Sequence, residues 1–246
     1  MTRRYQWRPD IPDHRDWLFT AKTGVDLPKI ADLRAMCPPV YDQGQLGSCT
    51  ANGLAAAVQF EHRKQGIAPD VVPSRLFIYY NERAIEGTVG SDSGAQIRDG
   101  VKSLAKIGVC PETEWPYAVA KYRSKPAAKC FSDAASAKIS SYSRLTTLND
   151  MLHCLADGYP FVFGFTVYDG FESDQVAKTG VLNLPAHGEK MLGGHAVAAV
   201  GYNLDAKRFI VRNSWGSGWG MAGYFTMPFD YLTSRNLSDD FWTIRK

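Results

Sequence analysis

The 246-residue sequence has no apolar run near the roughly 18 residues that a membrane-crossing helix requires. Its longest apolar stretches, Phe161 to Val167 and Ala196 to Val200, are only strand-sized, so a membrane partner is not expected. It also lacks a block of like charge. Lysines and arginines are scattered and the formal net charge is only +3, which gives no electrostatic case for binding nucleic acid. Cysteines are few: the five, at positions 37, 49, 110, 130 and 154, include no Cys-x-x-Cys, which argues against a zinc or dithiol redox motif, and an odd number cannot all pair. The N-terminus lacks an apolar signal core, because the basic opening is followed by Ile11-Pro12-Asp13-His14-Arg15-Asp16. Unpaired thiols without a signal predict the cytoplasm, or export without a classical signal peptide. No internal repeat or low-complexity segment is present. What remains is 45% hydrophobic and 22% charged, and long enough for a sizeable core without disulfide staples. An enzyme or a binding domain is left.

Helical signals fill the first half. Ala51, Leu54, Ala55 and Val58 repeat at helical spacing between Ser48, an expected N-cap, and the stop at Gly66, predicting a helix over Ser48–Gln65. Further helices are predicted over Ser74–Glu86 and Gly94–Lys106, the last with Ile97, Val101 and Leu104 on one face. After about Cys130 the pattern changes. A helix carrying Leu148, Met151, Leu152 and Leu155 ends at Asp157-Gly158, and strands are predicted over 161–167, 196–202, 209–212, 224–227 and 241–244. A turn at Asn203-Leu204-Asp205-Ala206 makes a hairpin of two of them. Helices first and strands later predict an α+β fold of two facing lobes. Residues 1–25, rich in Arg, Asp and Pro, read as an extended leader, and a surface tail is an equally good reading.

Cys49 falls at the predicted start of the first helix, where unpaired N–H groups and the helix dipole favour a thiolate. His195 is the best candidate for its proton partner, with Gly193-Gly194 giving backbone access and an apolar strand behind. Asn213, beyond the next strand, lies within reach of His195, and an amide there would orient the imidazole without adding charge. Gln43, six residues before Cys49, could supply an oxyanion donor together with the Cys49 N–H.

The blocks Gln43-Gly44-x-x-Gly47-Ser48-Cys49, Gly194-His195-Ala196-Val197-x-Ala199-Val200-Gly201-Tyr202 and Arg212-Asn213-Ser214-Trp215-Gly216-x-Gly218-Trp219-Gly220 resemble the papain-like cysteine peptidases. The resemblance runs from about Asp26 to the C-terminus. It implies the papain-like two-lobed fold, with a helical lobe over about 26–130, a β-barrel-like lobe over about 131–246 and the cleft between them. It implies a Cys49–His195 pair oriented by Asn213, an oxyanion hole at Gln43, and Trp215 shielding the Asn–His contact. Gly47, Ser93, Gly94, Gly194 and Trp215 are the implied substrate-binding residues, with Ser93-Gly94 at the family's glycine pair and only its second glycine kept. The implied activity is endopeptidase chemistry through an acyl-enzyme, with no cofactor and no metal, on a peptide or protein substrate; a proteinaceous peptidase inhibitor is a further implied partner.

The sequence departs from the family at three places. Leu46 and Ser91 occupy the positions of a disulfide of the secreted relatives, Thr50 replaces the aromatic residue after the nucleophile, and the long helical propeptide is replaced by residues 1–25. A leader anchored by Trp7 and Trp17 and folded over the cleft would restrain activity. Transpeptidation, deamidation by the same acyl-enzyme, and non-catalytic peptide binding are the alternatives. Cys37, Cys110, Cys130 and Cys154 read as structural, Trp219 as core, and His14, His62, His153 and His187 as surface or loop residues, His187 being the lesser candidate for the base.

Overall fold

The computed structural model describes residues 4–22 and 24–246. Helix α1 (Cys49–Lys64) is buried from Cys49 to His62 on every side, because its small residues let neighbours approach all round. Ser48 does not cap it as expected. Its hydroxyl lies 2.5 Å from the Tyr117 hydroxyl and accepts from Asn52 Nδ2 at 3.1 Å, so the helix begins without a side-chain cap. In α2 (Arg75–Ile85) Ser74 does cap, accepting from the Phe77 N–H at 3.1 Å. Helix α3 (Ile97–Lys106) starts three residues later than predicted, because Gly94 takes φ +68° and Gln96 is extended. A right-handed helix cannot include Gly94 in that conformation.

Helix α4 (Ala128–Ala134) has no periodic signal and was not predicted, while α5 (Leu148–Ala156) is fixed by a reciprocal Thr147–Asp150 capping box. Two short helices, α6 (Asp174–Thr179) and α7 (Phe229–Thr233), also went unpredicted. His62 and His153, expected at the surface, are buried on α1 and α5, whereas His14 and His187 are exposed. Among the described residues no helix is long and apolar enough to cross a membrane.

The strands are β1 (Ile30–Asp32), β2 (Ser141–Arg144), β3 (Phe161–Tyr168), β4 (Met191–Asn203), β5 (Arg208–Arg212), β6 (Tyr224–Pro228) and β7 (Ser238–Arg245). They form one antiparallel sheet in the order β2-β7-β3-β4-β5-β6, with β1 also on β4. Papain-like architecture, helices packed on an antiparallel sheet, is therefore present as predicted. Alternation along β4, with its phase shifted by a bulge between Ala199 and Gly201, divides the interior in two. Ala196, Ala198 and Val200 pack in the core built on α1, α2 and α3, whereas Val197, Ala199 and Tyr202 join an aromatic core with Phe163, Phe165 and Phe209. Small side chains on the helix-facing side let α1 lie directly against the sheet. The start of α1 is thereby placed beside His195.

The leader is docked, not a surface tail. Trp7 is 8% exposed and its backbone N–H donates to the Gly194 carbonyl at 2.8 Å, while the Arg8 backbone N–H reaches the Ala95 carbonyl at 3.2 Å. Farther along, Asp10 accepts from Trp242 Nε1 at 2.8 Å and from the Arg98 N–H at 3.1 Å, and Asp16 forms a buried ion pair with Arg98, Nε to Oδ1 2.9 Å. Trp17, the other expected anchor, is 75% exposed. The leader is held there by Asp10 and Asp16, whose buried carboxylates need the partners that the body provides.

Candidate active site

Cys49 occupies the first position of α1 with no measurable exposure. Backbone groups of Ala196, Thr50 and Gln6 lie within hydrogen-bonding reach of its sulphur. One is its own helix neighbour, one follows His195, and one belongs to the leader. Burial nonetheless pushes the Cys49 thiol up to about 11, with the Glu82 carboxylate adding to the rise and the three backbone groups only partly opposing it. The helix-start location alone predicted a thiolate. In this leader-covered state burial holds the thiol above its ordinary value, against the direction expected from the helix start alone.

His195 lies on β4, fully buried, with Nε2 2.9 Å from Asn213 Oδ1. The β4–β5 register pairs Ala198 with Arg212, so Asn213, just beyond β5, falls beside the stretch that carries His195. The Ser214 N–H donates to Asn213 Oδ1 at 2.9 Å, which requires that atom to be the amide oxygen. Nε2 of His195 therefore carries a proton, and in the neutral ring Nδ1 carries the lone pair. Trp215 stacks on the imidazole with centroids 5.1 Å apart and planes at 25°. Trp219 packs edge-on against Trp215 in the aromatic core, and the exposed His187 takes no part.

Gln43 is 2% exposed, and its orientation is fixed from both ends. Ser214 Oγ donates to Gln43 Oε1 at 2.6 Å, and Gln43 Nε2 donates to the Leu46 carbonyl at 2.9 Å. One amide hydrogen remains for another acceptor. Ser214 thus serves two site residues, its N–H on Asn213 and its hydroxyl on Gln43, a role that sequence reasoning missed although Ser214 adjoins Asn213 in a motif already singled out. Asp92 was missed as well; it accepts from the Gly47 N–H at 3.0 Å and from the Tyr79 hydroxyl at 2.5 Å, fixing one wall of the cleft. Thr50, where the family pattern has an aromatic residue, donates to the buried Glu82 Oε2 at 2.9 Å, so the space behind Cys49 is polar. Glu82 is raised well above the usual carboxylate range by burial.

The expected substrate-binding glycines all face the leader. A Cβ on Gly47 would lie 1.7 Å from Gln6 Oε1, one on Gly94 would lie 1.6 Å from the Gln6 carbonyl oxygen, and one on Gly194 would meet Trp7 at 2.6 Å. Ser93 differs. Its hydroxyl bonds to Thr88 Oγ1 at 2.9 Å and to the Gly94 carbonyl within its own loop. Gly164, unpredicted, forms the floor: a Cβ there would enter the Trp7 ring at 1.9 Å. Tyr5 lies edge-on over both His195 and Trp215, with centroids 6.1 and 6.2 Å away. Residues 5–7 thus fill the cleft over Cys49 and His195.

The papain family cysteine protease profile matches residues 27–237. The chain belongs to that family. This protease is 47% identical to an uncharacterized peptidase C1-like protein of Acanthamoeba polyphaga mimivirus, an alignment covering all of this chain and 88% of that protein. It superimposes on xylellain, a cysteine protease from Xylella fastidiosa, with a TM-score of 0.93 at 46% identity, covering 98% of this chain and 96% of the other. Chymopapain of Carica papaya is 29% identical over 85% of the chain and is longer, the match covering 57% of it. The protease is thus a hydrolase with cysteine peptidase activity, acting on peptide or protein substrates.

Proposed function

We propose that the protease is an endopeptidase working through a Cys49–His195 pair and an acyl-enzyme, and that residues 4–22 hold it latent. The observation carrying this reading is the convergence of Cys49, a His195 ring fixed by Asn213, and an oriented Gln43 amide beneath a leader seated on the same residues. In the open cleft, Cys49 passes its proton to His195 Nδ1 and the thiolate sulphur attacks the substrate carbonyl. The oxyanion accepts from Gln43 Nε2 and the Cys49 N–H. His195 then gives its proton to the leaving amine as the C–N bond breaks, and afterwards takes one from the water that cleaves the thioester. The Trp7 recess, floored by Gly164 and Gly194, suits a bulky aromatic side chain of the substrate.

Opening the leader returns the sulphur to water and lets the helix terminus and the imidazolium act on it. A peptide-like electrophile should then label Cys49 alone among the five cysteines, as mapped by mass spectrometry; labelling spread over other thiols, or none at Cys49 in a leader-loosened chain, would remove the enzymatic reading in favour of a binding homologue. Gln43→Ala should lower kcat by about 100-fold, as for other oxyanion donors. A loss below about threefold would exclude Gln43 from that role.

A further inference from the structure

Cys110 and Cys130 stand apart from the cleft and from its chemistry. Cys110 follows α3 and its carbonyl accepts from the Ser74 N–H at 2.9 Å, tying it to the start of α2, while Cys130 is carried by α4. Both are buried, at 0% and 2% exposure, and neither is in a disulfide. The turn after Pro111 brings Glu114 to them, and the two sulphurs and one Glu114 oxygen all lie within 4.8 Å of one another. Glu114 Oε1 accepts from Lys129 Nζ at 2.8 Å, whereas Oε2 is buried with no hydrogen bond. An unsatisfied buried carboxylate oxygen beside two thiols is costly unless something completes it.

We propose that Cys110, Cys130 and Glu114 form a binding site for a single thiophilic divalent cation of the Zn²⁺ type. Two sulphur donors and one carboxylate select a soft or borderline ion over Mg²⁺ or Ca²⁺, which take oxygen. Two thiolates and a carboxylate carry three negative charges; the dication neutralises two, and the Lys129 ammonium, shared between Glu114 and Asp133, offsets part of the remainder. Binding converts both S–H groups to S–metal bonds and releases two protons to solvent, without oxidation or reduction. A route in exists: Cys110 and Glu114 line a cleft of about 560 Å³ with His62, Pro73 and Asp133. Filled, the site would clamp α4 to the segment that follows α3, in a protein without disulfides among its described residues.

The test uses the full chain carrying Cys49→Ala, which removes the active-site thiol, reduced and freed of reductant. Cd²⁺ titration should give ultraviolet thiolate-to-metal absorption saturating at one ion per chain, Zn²⁺ should abolish it by competition, and thermal stability should rise. Adding Cys110→Ser should eliminate the absorption while Cys37→Ser keeps it, with circular dichroism reporting the fold of each. Glu114→Gln, which spares both thiols, should weaken Cd²⁺ binding about tenfold or more. Absorption that survives Cys110→Ser, or none in the parent chain, overturns the site. Finding Cys110 and Cys130 joined in protein isolated without reductant, with no Cd²⁺ absorption after reduction, would make the pair a disulfide instead.

Discussion

Cys49→Ala is expected to abolish peptide hydrolysis, with turnover falling about 10⁶-fold, the scale seen when the nucleophile is removed from a catalytic unit that acts as a whole. The variant should still fold. The sulphur is buried, but a side chain with one fewer heavy atom leaves only a small space at the end of α1, and the Gln43, Asn213 and Ser214 hydrogen bonds do not involve it. Full residual turnover with unchanged circular dichroism would remove Cys49 from the reaction. Product analysis of the parent enzyme distinguishes the alternatives: free carboxyl termini mark hydrolysis, new amides mark transpeptidation, and ammonia release marks deamidation.

Trp7→Ala in the full chain is expected to raise kcat/KM on a small peptide at least tenfold. Truncating a buried tryptophan costs about 3–5 kcal/mol, and each 1.4 kcal/mol lost from docking shifts the covered-to-open ratio about tenfold. A point variant is preferable to a chain beginning at Asp26. Removing Asp10 and Asp16 would also strip the buried Arg98 and Trp242 of their partners, and breaking a buried ion pair costs about 3–5 kcal/mol by itself. Thermal unfolding measured alongside should show that activity rises even as stability falls. Equal rates for the two chains would mean that the leader does not inhibit.

Alkylation of Cys49 gives the same test a pH signature. In the covered state the thiol is raised to about 11, so thiolate forms only as the pH climbs through that value. Opening lowers the thiol, and the Trp7→Ala chain should alkylate at lower pH. Linkage gives the sign: the covered form holds the Cys49 proton more tightly, so leader docking is favoured below the open form's thiol value and lost as the pH rises from there toward about 11.

The proposed active-site set was legible because its members lie in short blocks whose local structure does much of the positioning. A cysteine at a helix start, a histidine one residue before an apolar strand and an asparagine just past its hairpin partner can be placed from periodicity and turn chemistry. The supporting shell was not legible in that way. Ser214 orients Gln43 across 171 residues of sequence, and Asp92 holds Gly47 from 45 residues away. Neither pairing has a local signature. The short helices α4, α6 and α7 escaped notice because so few residues carry no periodicity.

By itself the sequence determined the longer helices and the main strands, because apolar period and turn residues act over neighbouring positions, and its three motif blocks named the expected catalytic set through their resemblance to a family. Only the tertiary structure decided the state of that set. The leader has no period and could equally be a loose tail, yet buried Asp10, Asp16 and Trp7 seat it across the cleft. Burial there raises the Cys49 thiol, where the helix start alone predicts the opposite. What lies over the site is not decided by its sequence neighbours: Tyr5, Gln6 and Trp7, remote in the chain, pack against it in three dimensions.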